Sequence, residues 1–466
     1  MEFDAIIIGS GQAGTPLAID LAGHGWRVAF VEKGNLGGTC INTGCTPTKT
    51  MIHRADVAHY ARNAARWGVT TRDVSIDLAK IVSQKDAVVD AWREGRRKAV
   101  DRLPNLHLYR ESARFVGPHE VKVGAESLSS RRIFINSGAR PSVPAIPGLD
   151  SVPYLTNESM LNVTVLPKKL IVIGGGYIGL EFGQMFARFG SEVTIIQSNK
   201  QIVPREDPEV AAELQRALEA EGIQFLLSAN TKRVSQNEAG VSVDVESGSE
   251  KRSLRVEGSR LLVATGRRPN TENLDLGKTG IQTDKNGYIP VNDKLETVVE
   301  GIWALGDVKG GPAFTHISYN DYQIVFANLI EGKNLSIKNR IVPYCVFTDP
   351  QLGGVGLTEK EARAKGFALK IGRVPMSRVA RAIERDETAG MMKLIVDAKN
   401  DRILGATILS TDAGELVQIL YALILGDLPY TLMKSAVFIH PTLAEGFFFL
   451  MEDVKLINPP TLAVRS

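Results

Sequence analysis

Residues 5–14 read AIIIGSGQAG, an apolar run that passes directly into a glycine-rich turn. The run has the composition of a buried parallel strand, and residues 15–24 after the turn have a helical pattern. A second predicted strand covers residues 27–31, and Glu32 follows directly at its end. A lone G-x-G-x-x-G match is weak evidence. Placed between a strand and a helix, with an acid about 20 residues on, it predicts a dinucleotide-binding fold.

The glycines of this turn are Gly9, Gly11 and Gly14. They allow backbone N–H groups to meet a pyrophosphate at the start of the helix. Glu32 is placed to accept hydrogen bonds from a ribose.

The same pattern recurs at residues 170–179, LIVIGGGYIG, with fingerprint glycines at Gly174, Gly176 and Gly179. A predicted helix over residues 180–189 leads to a predicted strand over residues 192–196. Two glycine-rich turns that merely pack are the alternative. The strand and helix around both turns favour two dinucleotide sites.

Residues 37–49 read GGTCINTGCTPTK and contain two of the three cysteines in the chain, Cys40 and Cys45. A short loop can bring the two sulfurs together, and a helix start would stabilise a thiolate. This predicts a redox-active dithiol. Half of a zinc site and a structural staple are the alternatives. Zinc needs further ligands, and Cys345, which we interpret as a buried core cysteine, has no obvious partner. A staple is typical of secreted proteins.

The length, composition and net charge of the chain limit the classes of protein to which it can belong and the kinds of partner it can bind. The 466 residues suffice for about three domains, and 44% hydrophobic with 23% charged residues is typical of a soluble globular protein. A net charge of +3 argues against nucleic acid or an anionic membrane as partner. No apolar run approaches the ~18 residues of a membrane span. The sequence opens without a signal-peptide pattern, so we expect a cytoplasmic protein.

In order and spacing these motifs resemble the pyridine nucleotide–disulfide oxidoreductases. These flavoenzymes include glutathione reductase, dihydrolipoamide dehydrogenase and mercuric reductase. The resemblance covers essentially the whole chain and includes ATGR at residues 264–267, ALGD at 304–307 and HPTLAE at 440–445. It is most marked for the mercuric-reductase-like branch, which includes flavoproteins of reactive-chlorine resistance.

The resemblance implies an α/β fold with two Rossmann-like dinucleotide-binding domains and a C-terminal α+β dimerisation domain. The implied boundaries are an FAD-binding domain over residues 1–145, an NAD(P)-binding domain over 146–262, a return to the FAD-binding domain over 263–340, and the dimerisation domain over 341–466. In this last domain we expect strands over residues 342–347, 392–396 and 403–408, and helices over 413–425 and 442–451.

The resemblance also implies the cofactor contacts. FAD would be held by Gly9, Gly11, Gly14, Glu32, Lys33, Gly38, Thr39, Lys49, Gly266 and Asp307. The pyridine nucleotide would be held by Gly174, Gly176, Tyr177, Gly179, Ser198 and Lys200. Asp307 would bond the ribityl chain, and it is also placed to cap a helix after Gly306. Tyr177 would cover the flavin until nicotinamide displaces it, with core packing as the alternative.

The second unit has Gln197 at the acid position. An acid there would bind a 2′-hydroxyl and repel a 2′-phosphate. Gln197 removes that repulsion, Ser198 offers a hydroxyl and Lys200 offers a positive charge. The sequence therefore predicts a preference for NADPH over NADH.

The catalytic residues are implied by the resemblance as well. Cys45 would be the thiol next to the flavin, and Cys40 the outer thiol that attacks substrate. Lys49, one helical turn past Cys45, would pair with Glu181. A solvated lysine and an ordinary helix glutamate are the alternative reading of that pair.

His440 would be oriented by Glu445 and would reach the dithiol of the other subunit of a homodimer as its acid–base group. A lone histidine is otherwise more often a structural residue. The apolar residues 447–451 would either form the dimer interface or fill the core of their own domain.

These features together predict an enzyme that passes electrons from NADPH through FAD and the Cys40–Cys45 disulfide to a disulfide, small oxidant or metal-ion acceptor. Dihydrolipoamide dehydrogenase is the alternative enzyme, and a flavoprotein scaffold without catalysis is the rival from another class. The intact dithiol, Lys49, Glu181 and His440 argue against the scaffold. No cysteine follows Cys345, whereas mercuric reductases carry a C-terminal pair, so we do not expect mercury as the physiological substrate.

Overall fold

The computed structural model describes residues 1–238, 240–248 and 252–457, which form two compact units. The first unit comprises Met1–Pro144, Leu155–Val165 and Thr265–Arg340. The second comprises Ala145–Tyr154, Leu166–Ala264 and the chain from Ile341 onward. The structure shows these two units, and the finer division into four domain segments remains a prediction.

A five-stranded parallel sheet forms the centre of the first unit. In spatial order its strands are Ile302–Ala304, Ile133–Ile135, Ala5–Ile8, Val28–Val31 and Leu106–Tyr109. The strands Ala5–Ile8 and Val28–Val31 are buried throughout, which explains their unbroken apolar sequence. The sheet order changes direction at Ala5–Ile8, and such a point forms a ligand crevice at the carboxyl end of the strand.

Helices cover this sheet and carry the dithiol segment. They are Gly14–Gly23, Gly38–Asn42, Cys45–Asn63, Leu78–Asp101, Asn157–Met160 and Thr315–Ile330, with short 3-10 turns at Ala64–Trp67, Leu276–Lys278 and Gly306–Lys309. Two small antiparallel sheets complete the unit. One contains Ala113–Gly117, Glu120–Val123 and Glu126–Ser129, and the other pairs Ala139–Pro141 with Arg267–Pro269.

The second unit begins with a four-stranded parallel sheet in the order Gln224–Leu226, Glu192–Ile196, Lys169–Ile173 and Arg260–Val263. The helix after its glycine turn is Tyr177–Phe189. It starts three residues before its predicted start because Gly176 is already the extended N-cap residue. The helix Pro208–Ala220 and an antiparallel sheet of Ala229–Asn237, Gly240–Ser247 and Arg252–Gly258 follow.

The C-terminal part of the second unit is built on an antiparallel six-stranded sheet. Its order is Tyr344–Val346, Gln351–Gly356, Ile403–Ser410, Met391–Asp397, Leu369–Pro375 and Lys455–Leu456. The helices of this part are Glu359–Ala364, Ala380–Glu384, Ala413–Leu425 and Gly446–Glu452, and further 3-10 turns of the unit lie at Leu149–Ser151, Met376–Arg378 and Tyr430–Ser435.

Two predictions for this part need correction, and two strands were missed. The strands Gln351–Gly356 and Leu369–Pro375 were not predicted. The predicted helix over residues 442–451 begins only at Gly446, because the Glu445 carboxylate accepts the Thr442 N–H and holds the preceding segment as a loop. Cys345 is half-buried rather than a core residue, and its sulfur lies 3.5 Å from the carbonyl oxygen of Val346.

The apolar residues 447–451 divide between two environments. Phe447, Leu450 and Met451 are fully buried in the core of their own domain, whereas Phe448 is 37% exposed. Core packing therefore accounts for most, but not all, of this apolar run. None of the helices in the described part of the chain combines the length and hydropathy needed to cross a bilayer.

Candidate active site

The first glycine turn leaves no room for side chains. Gly9 has φ +103°, and a Cβ on it would lie 2.3 Å from the carbonyl oxygen of Asn136. A Cβ on Gly14 would lie 2.0 Å from the oxygen of Gly9. Asn136 clamps the turn because its Oδ1 accepts the Gly14 N–H at 2.9 Å and its Nδ2 donates to the Leu305 carbonyl at 2.7 Å. Only glycine fits at these positions, as is typical of turns whose backbone also approaches a ligand closely.

Glu32 lies at the end of its strand, beside this turn. One carboxylate oxygen accepts hydrogen bonds from the Ser10 N–H at 2.9 Å and the Ser10 hydroxyl at 2.7 Å. The other oxygen accepts the Gly34 N–H at 2.8 Å. Lys33 is exposed next to it. The acid therefore lies against the turn where a ribose would be expected.

Arg267 and Asp307 form a second cluster of polar side chains in the first unit. Arg267 Nε lies 3.7 Å from an Asp307 oxygen, and it is buried with no hydrogen-bond partner among the described residues. Burial raises the pKa of Asp307, against the attraction of Arg267 and Lys309. Asp307 does not cap the turn Gly306–Lys309, because the cap residue is Leu305.

The loop that carries the dithiol approaches the glycine turn closely. Gly38 has φ +59°, and a Cβ on it would lie 2.7 Å from Gly11 Cα. The Thr39 hydroxyl lies 3.5 Å from Arg267 Nη2. Gly266 has φ +118°, and a Cβ there would meet no atom within 4 Å. A glycine with positive φ beside open space, and a buried guanidinium nitrogen with no hydrogen-bond partner among the described residues, suit an elongated polar ligand such as FAD.

Cys40 and Cys45 lie together as predicted for a dithiol. Cys40 is on the short helix Gly38–Asn42, and Cys45 is the first residue of the helix Cys45–Asn63. The structure holds both as thiols whose side chains are hydrogen-bonded to each other. That hydrogen bond, followed by burial, raises the pKa of the Cys40 thiol. The start of a long helix favours negative charge on Cys45.

Thr315 is a site residue that the sequence did not reveal. Its hydroxyl lies 3.1 Å from Cys45 Sγ and also hydrogen-bonds the Cys40 side chain, where it opposes the rise in pKa. Thr315 begins the helix Thr315–Ile330. Asp321 fixes this helix, since its fully buried carboxylate accepts the Gly306 N–H at 2.8 Å. The dithiol thus lies at the starts of two helices.

Lys49 and Glu181 belong to different units. Lys49 lies one turn past Cys45, and its positive charge also opposes the rise in the pKa of Cys40. Glu181 is buried on the helix Tyr177–Phe189, and its Oε1 accepts the Phe347 N–H at 2.9 Å. Their pairing stays a prediction.

The second glycine turn has the same tight geometry as the first. Gly174 has φ +115°, and a Cβ on Gly179 would lie 1.9 Å from the Gly174 oxygen. A Cβ on Gly176 would meet nothing within 4 Å, so this side of the turn is open. Gln197 is buried, whereas Ser198 and Lys200 are exposed.

Tyr177 follows this open glycine and contacts two residues that the sequence did not reveal. Its ring stacks on Tyr344 with centroids 6.0 Å apart and an interplanar angle of 11°. Its hydroxyl donates to Glu206 Oε1 at 3.2 Å. Tyr344 is far away in the sequence, so no local pattern could have identified the contact.

His440 and Glu445 form a hydrogen-bonded pair. His440 Nδ1 lies 3.0 Å from Glu445 Oε2, and the His440 side chain is 71% exposed while Glu445 is largely buried. A carboxylate on Nδ1 fixes the imidazole and leaves Nε2 for proton exchange. The surroundings are apolar and open, lined by Ala436, Phe438, Phe448 and Phe449.

A buried charged cluster of the second unit also holds several carboxylates together. Lys393 is fully buried, and its Nζ lies 2.7 Å from Asp207, 2.5 Å from Glu209 and 2.8 Å from Glu359. The ammonium group occupies the position between the three carboxylates. The arrangement is therefore an ion-pair cluster rather than an open ligand set.

These features define a class of protein. The first unit joins a dinucleotide turn to a dithiol, and the second unit carries a further dinucleotide turn. Such a chain is a dinucleotide-dependent dithiol oxidoreductase. Two family models match it: pyridine nucleotide-disulphide oxidoreductase over residues 3–321, and the dimerisation domain of the same family over residues 342–448. The chain belongs to the pyridine nucleotide-disulphide oxidoreductase family.

Similar proteins agree with this assignment. The chain is 37% identical to the probable pyridine nucleotide-disulfide oxidoreductase RclA of Escherichia coli, over 97% of this chain and 100% of RclA. It is 37% identical to a mercuric reductase of Lysinibacillus sphaericus, over 96% of this chain and 81% of that protein. A dihydrolipoyl dehydrogenase of Thermus scotoductus is 34% identical, over 100% of this chain and 99% of that protein. The chain also resembles the solved structure of the Cu(II) complex of HOCl-induced flavoprotein disulfide reductase RclA from Escherichia coli. The TM-score is 0.88 at 36% sequence identity, over 98% of this chain and 100% of the RclA chain.

The predicted family, α/β fold class and oxidoreductase function are confirmed by these matches. The family implies FAD and a pyridine nucleotide as cofactors, and the dimerisation domain indicates a homodimer. Dihydrolipoyl dehydrogenases, the predicted alternative, are also relatives but less similar than RclA.

Proposed function

We propose that the chain is a homodimeric, FAD-dependent enzyme that passes electrons from NADPH through Cys45 and Cys40 to a disulfide, small oxidant or metal-ion acceptor. The observation that carries this proposal is the contact of the two thiols at the start of the helix Cys45–Asn63, in the same unit as the first glycine turn. A structural thiol pair needs neither a helix start nor a nearby lysine.

The two thiols have distinct parts in the exchange with a disulfide acceptor. The Cys40 thiolate attacks one sulfur of the acceptor, so a mixed disulfide forms and the other acceptor sulfur leaves as a thiolate. Cys45 then attacks Cys40 Sγ and releases the second acceptor thiolate. Two electrons have passed to the acceptor, and Cys40 and Cys45 are joined as a disulfide.

Proton transfer explains the need for His440. The raised pKa of Cys40 means that its proton must be taken by a base before attack. We assign this to His440 of the partner subunit, whose Nε2 would accept the Cys40 proton and later protonate the departing thiolate. Glu445 holds the ring at Nδ1 and stabilises the imidazolium. The exposed Val437 and Ile439 beside it fit a surface covered by a second copy.

FAD, when bound, supplies two-electron transfer between the nicotinamide and the disulfide. The residues that would hold it are the turn Gly9–Gly14, Glu32, Lys33, Gly38, Thr39, Gly266 and Asp307, to which we add Arg267. Lys49 and Glu181 would place a charge pair beside it. The chain segments 1–145 and 263–340 would form this domain.

The segment 146–262 would hold the nicotinamide nucleotide, with Gly174, Gly176 and Gly179 at its pyrophosphate and Tyr177 at the position that nicotinamide takes. Because Gln197 offers no negative charge, and Ser198 and Lys200 are exposed beside it, NADPH is the proposed reductant. The segment 341–466 would form the dimer contact. A dithiol kept reduced by NADPH suits the cytoplasm.

The test is a steady-state screen of NADPH oxidation by purified holoenzyme. The acceptors are disulfides, quinones, Cu(II) and chlorine-derived oxidants, the last two because of the description of the RclA structure. Dihydrolipoamide with NAD⁺ serves as the alternative reaction. The proposal requires turnover that Cys40→Ser abolishes. Equal rates in wild type and Cys40→Ser, or turnover only with dihydrolipoamide, would overturn it.

A further inference from the structure

Two tyrosines and one carboxylate form a cluster beside the second glycine turn, and the mechanism above uses only one of them. The cluster consists of Tyr177, Tyr344 and Glu206. Glu206 is 5% exposed. Its pKa is raised by burial, while hydrogen bonds from Tyr344 and Tyr177 oppose the rise. The other charged groups around the cluster are Arg205, Asp207 and Glu361.

The two tyrosines hold the carboxylate unequally. The Tyr344 hydroxyl lies 2.8 Å from each Glu206 oxygen, whereas the Tyr177 hydroxyl lies 3.2 Å from one of them. A phenol donates a single proton, so each tyrosine supplies one hydrogen bond. Tyr344 supplies the shorter one. If Tyr177 moves away, Glu206 keeps a donor and does not become an unpaired buried charge.

Glu206 and Tyr344 are fixed in place. Next to Glu206, the carboxylate of Asp207 is bound to the buried Lys393 at 2.7 Å. The Tyr344 ring lies over Gly354, where a Cβ would be 2.3 Å from the ring carbon Cζ. Tyr177, in contrast, is the first residue of its helix and follows Gly176, which has open space beside it. Of the three side chains, Tyr177 is the one placed to move.

We propose that Glu206 and Tyr344 are positioning residues with opposite effects: Glu206 holds Tyr177 through its hydroxyl, Tyr344 weakens that hold, and together they set how readily the nicotinamide ring of the nucleotide displaces the Tyr177 ring. This inference rests on the proposed function, in which Tyr177 occupies the nicotinamide position. The apparent Kd of the nucleotide rises as the fraction of molecules in which Tyr177 is held in place increases, because those molecules cannot accept the nicotinamide ring. The two phenols donate to the same carboxylate and compete for its charge, so the bond from Tyr344 weakens the bond from Tyr177 and loosens the hold.

The competition predicts opposite effects for two conservative variants. Tyr344→Phe keeps the stacked ring but leaves Tyr177 as the remaining tyrosine donor to Glu206, so Tyr177 is held more tightly and nucleotide binds more weakly. Glu206→Gln replaces the charged acceptor by a neutral one, so Tyr177 is held less tightly and nucleotide binds more strongly. A merely structural role would shift both variants in the same direction.

The experiment measures the Kd of NADP⁺ by calorimetry and the KM of NADPH, using FAD-loaded enzyme at about pH 8, because burial raises the pKa of Glu206 and a high pH favours its charged form. We expect Kd to rise in Tyr344→Phe and to fall in Glu206→Gln, each by roughly three- to tenfold, as for partial loss of one charge-assisted hydrogen bond. kcat at saturating NADPH should change less than KM. Tyr154→Phe, a half-buried tyrosine outside the cluster, is the matched control.

A Tyr177→Phe background separates the possible failures. In that background the effect of Tyr344→Phe on Kd should disappear, because the hydroxyl on which it acts is gone. If Tyr177→Phe lowers Kd but Tyr344→Phe and Glu206→Gln leave it unchanged or shift it in one direction, the positioning role is refuted and the proposed function stands. If no substitution at Tyr177 alters nucleotide binding, the proposed place of Tyr177 is itself wrong. Melting temperature and FAD content identify a misfolded variant, and Glu206→Gln then remains as the second test.

Discussion

Thr315→Val removes one hydroxyl from the dithiol and leaves the shape of the side chain nearly unchanged. The lost group lies 3.1 Å from Cys45 Sγ and also lowers the pKa of Cys40. A hydrogen bond to a charged group contributes about 1.5–3 kcal/mol, and about 1.4 kcal/mol corresponds to a tenfold change in the thiolate population. Because Cys45 is exposed, water replaces part of the lost bond, so we expect the lower end of this range. The reduced dithiol should therefore contain about tenfold less thiolate at neutral pH.

The assay is the pH dependence of iodoacetamide alkylation of the reduced holoenzyme. Loss of the hydroxyl should move the alkylation profile to higher pH and slow disulfide reduction by a similar factor, with little change in the KM for NADPH. Thr315→Ser retains the hydroxyl and should behave like the wild type. An unchanged alkylation profile in Thr315→Val, with the protein folded and FAD bound, would refute the assigned hydrogen bond.

Four further outcomes are expected. Cys40→Ser and Cys45→Ser should both bind FAD and lose disulfide reduction by more than about a hundredfold, and wild-type rates in both would remove the dithiol assignment. Gln197→Glu should lower kcat/KM for NADPH relative to NADH by roughly tenfold, whereas a clear NADH preference in the wild type would contradict the cofactor proposal. Cys40→Ser mixed with His440→Ala under subunit exchange should recover about a quarter of wild-type activity, since half of the dimers then have one intact site, and no recovery in proven heterodimers would exclude a shared site. Lys393→Met should destabilise the protein by roughly 3–5 kcal/mol in urea unfolding because three carboxylates lose their common cation, and an unchanged midpoint would contradict that role.

The sequence was most informative where function depends on contiguous residues. Both glycine turns lie between the predicted strand and helix, and the strand Glu192–Ile196 and the helix Ala413–Leu425 have the predicted ends. These segments carry strong local signals, namely apolar runs bounded by glycine or charged residues. The strands Gln351–Gly356 and Leu369–Pro375 lack such signals, because their sequences mix polar residues with glycine.

The residues missed by sequence reasoning act through contacts between distant segments. Thr315 is 270 positions from Cys45, and Asn136 is 122 positions from Gly14. Neither belongs to a recognisable local motif, and a threonine or asparagine alone has many roles. Arg267 belongs to the ATGR motif at residues 264–267, but the burial of its Nε and its approach to Asp307 depend on the fold. Three-dimensional proximity, rather than residue type, identifies these groups.

The raised pKa of Cys40 has a consequence for damage as well as for catalysis. Hydrogen peroxide and hypochlorous acid oxidise thiolates much faster than thiols. A thiol whose pKa is raised by a neighbouring thiol and by burial is therefore oxidised more slowly when no base is nearby. In the proposed dimer the base arrives only with the second subunit, so an unassembled chain would keep its attacking sulfur dormant. Assembly of the dimer would then control when the attacking sulfur becomes reactive.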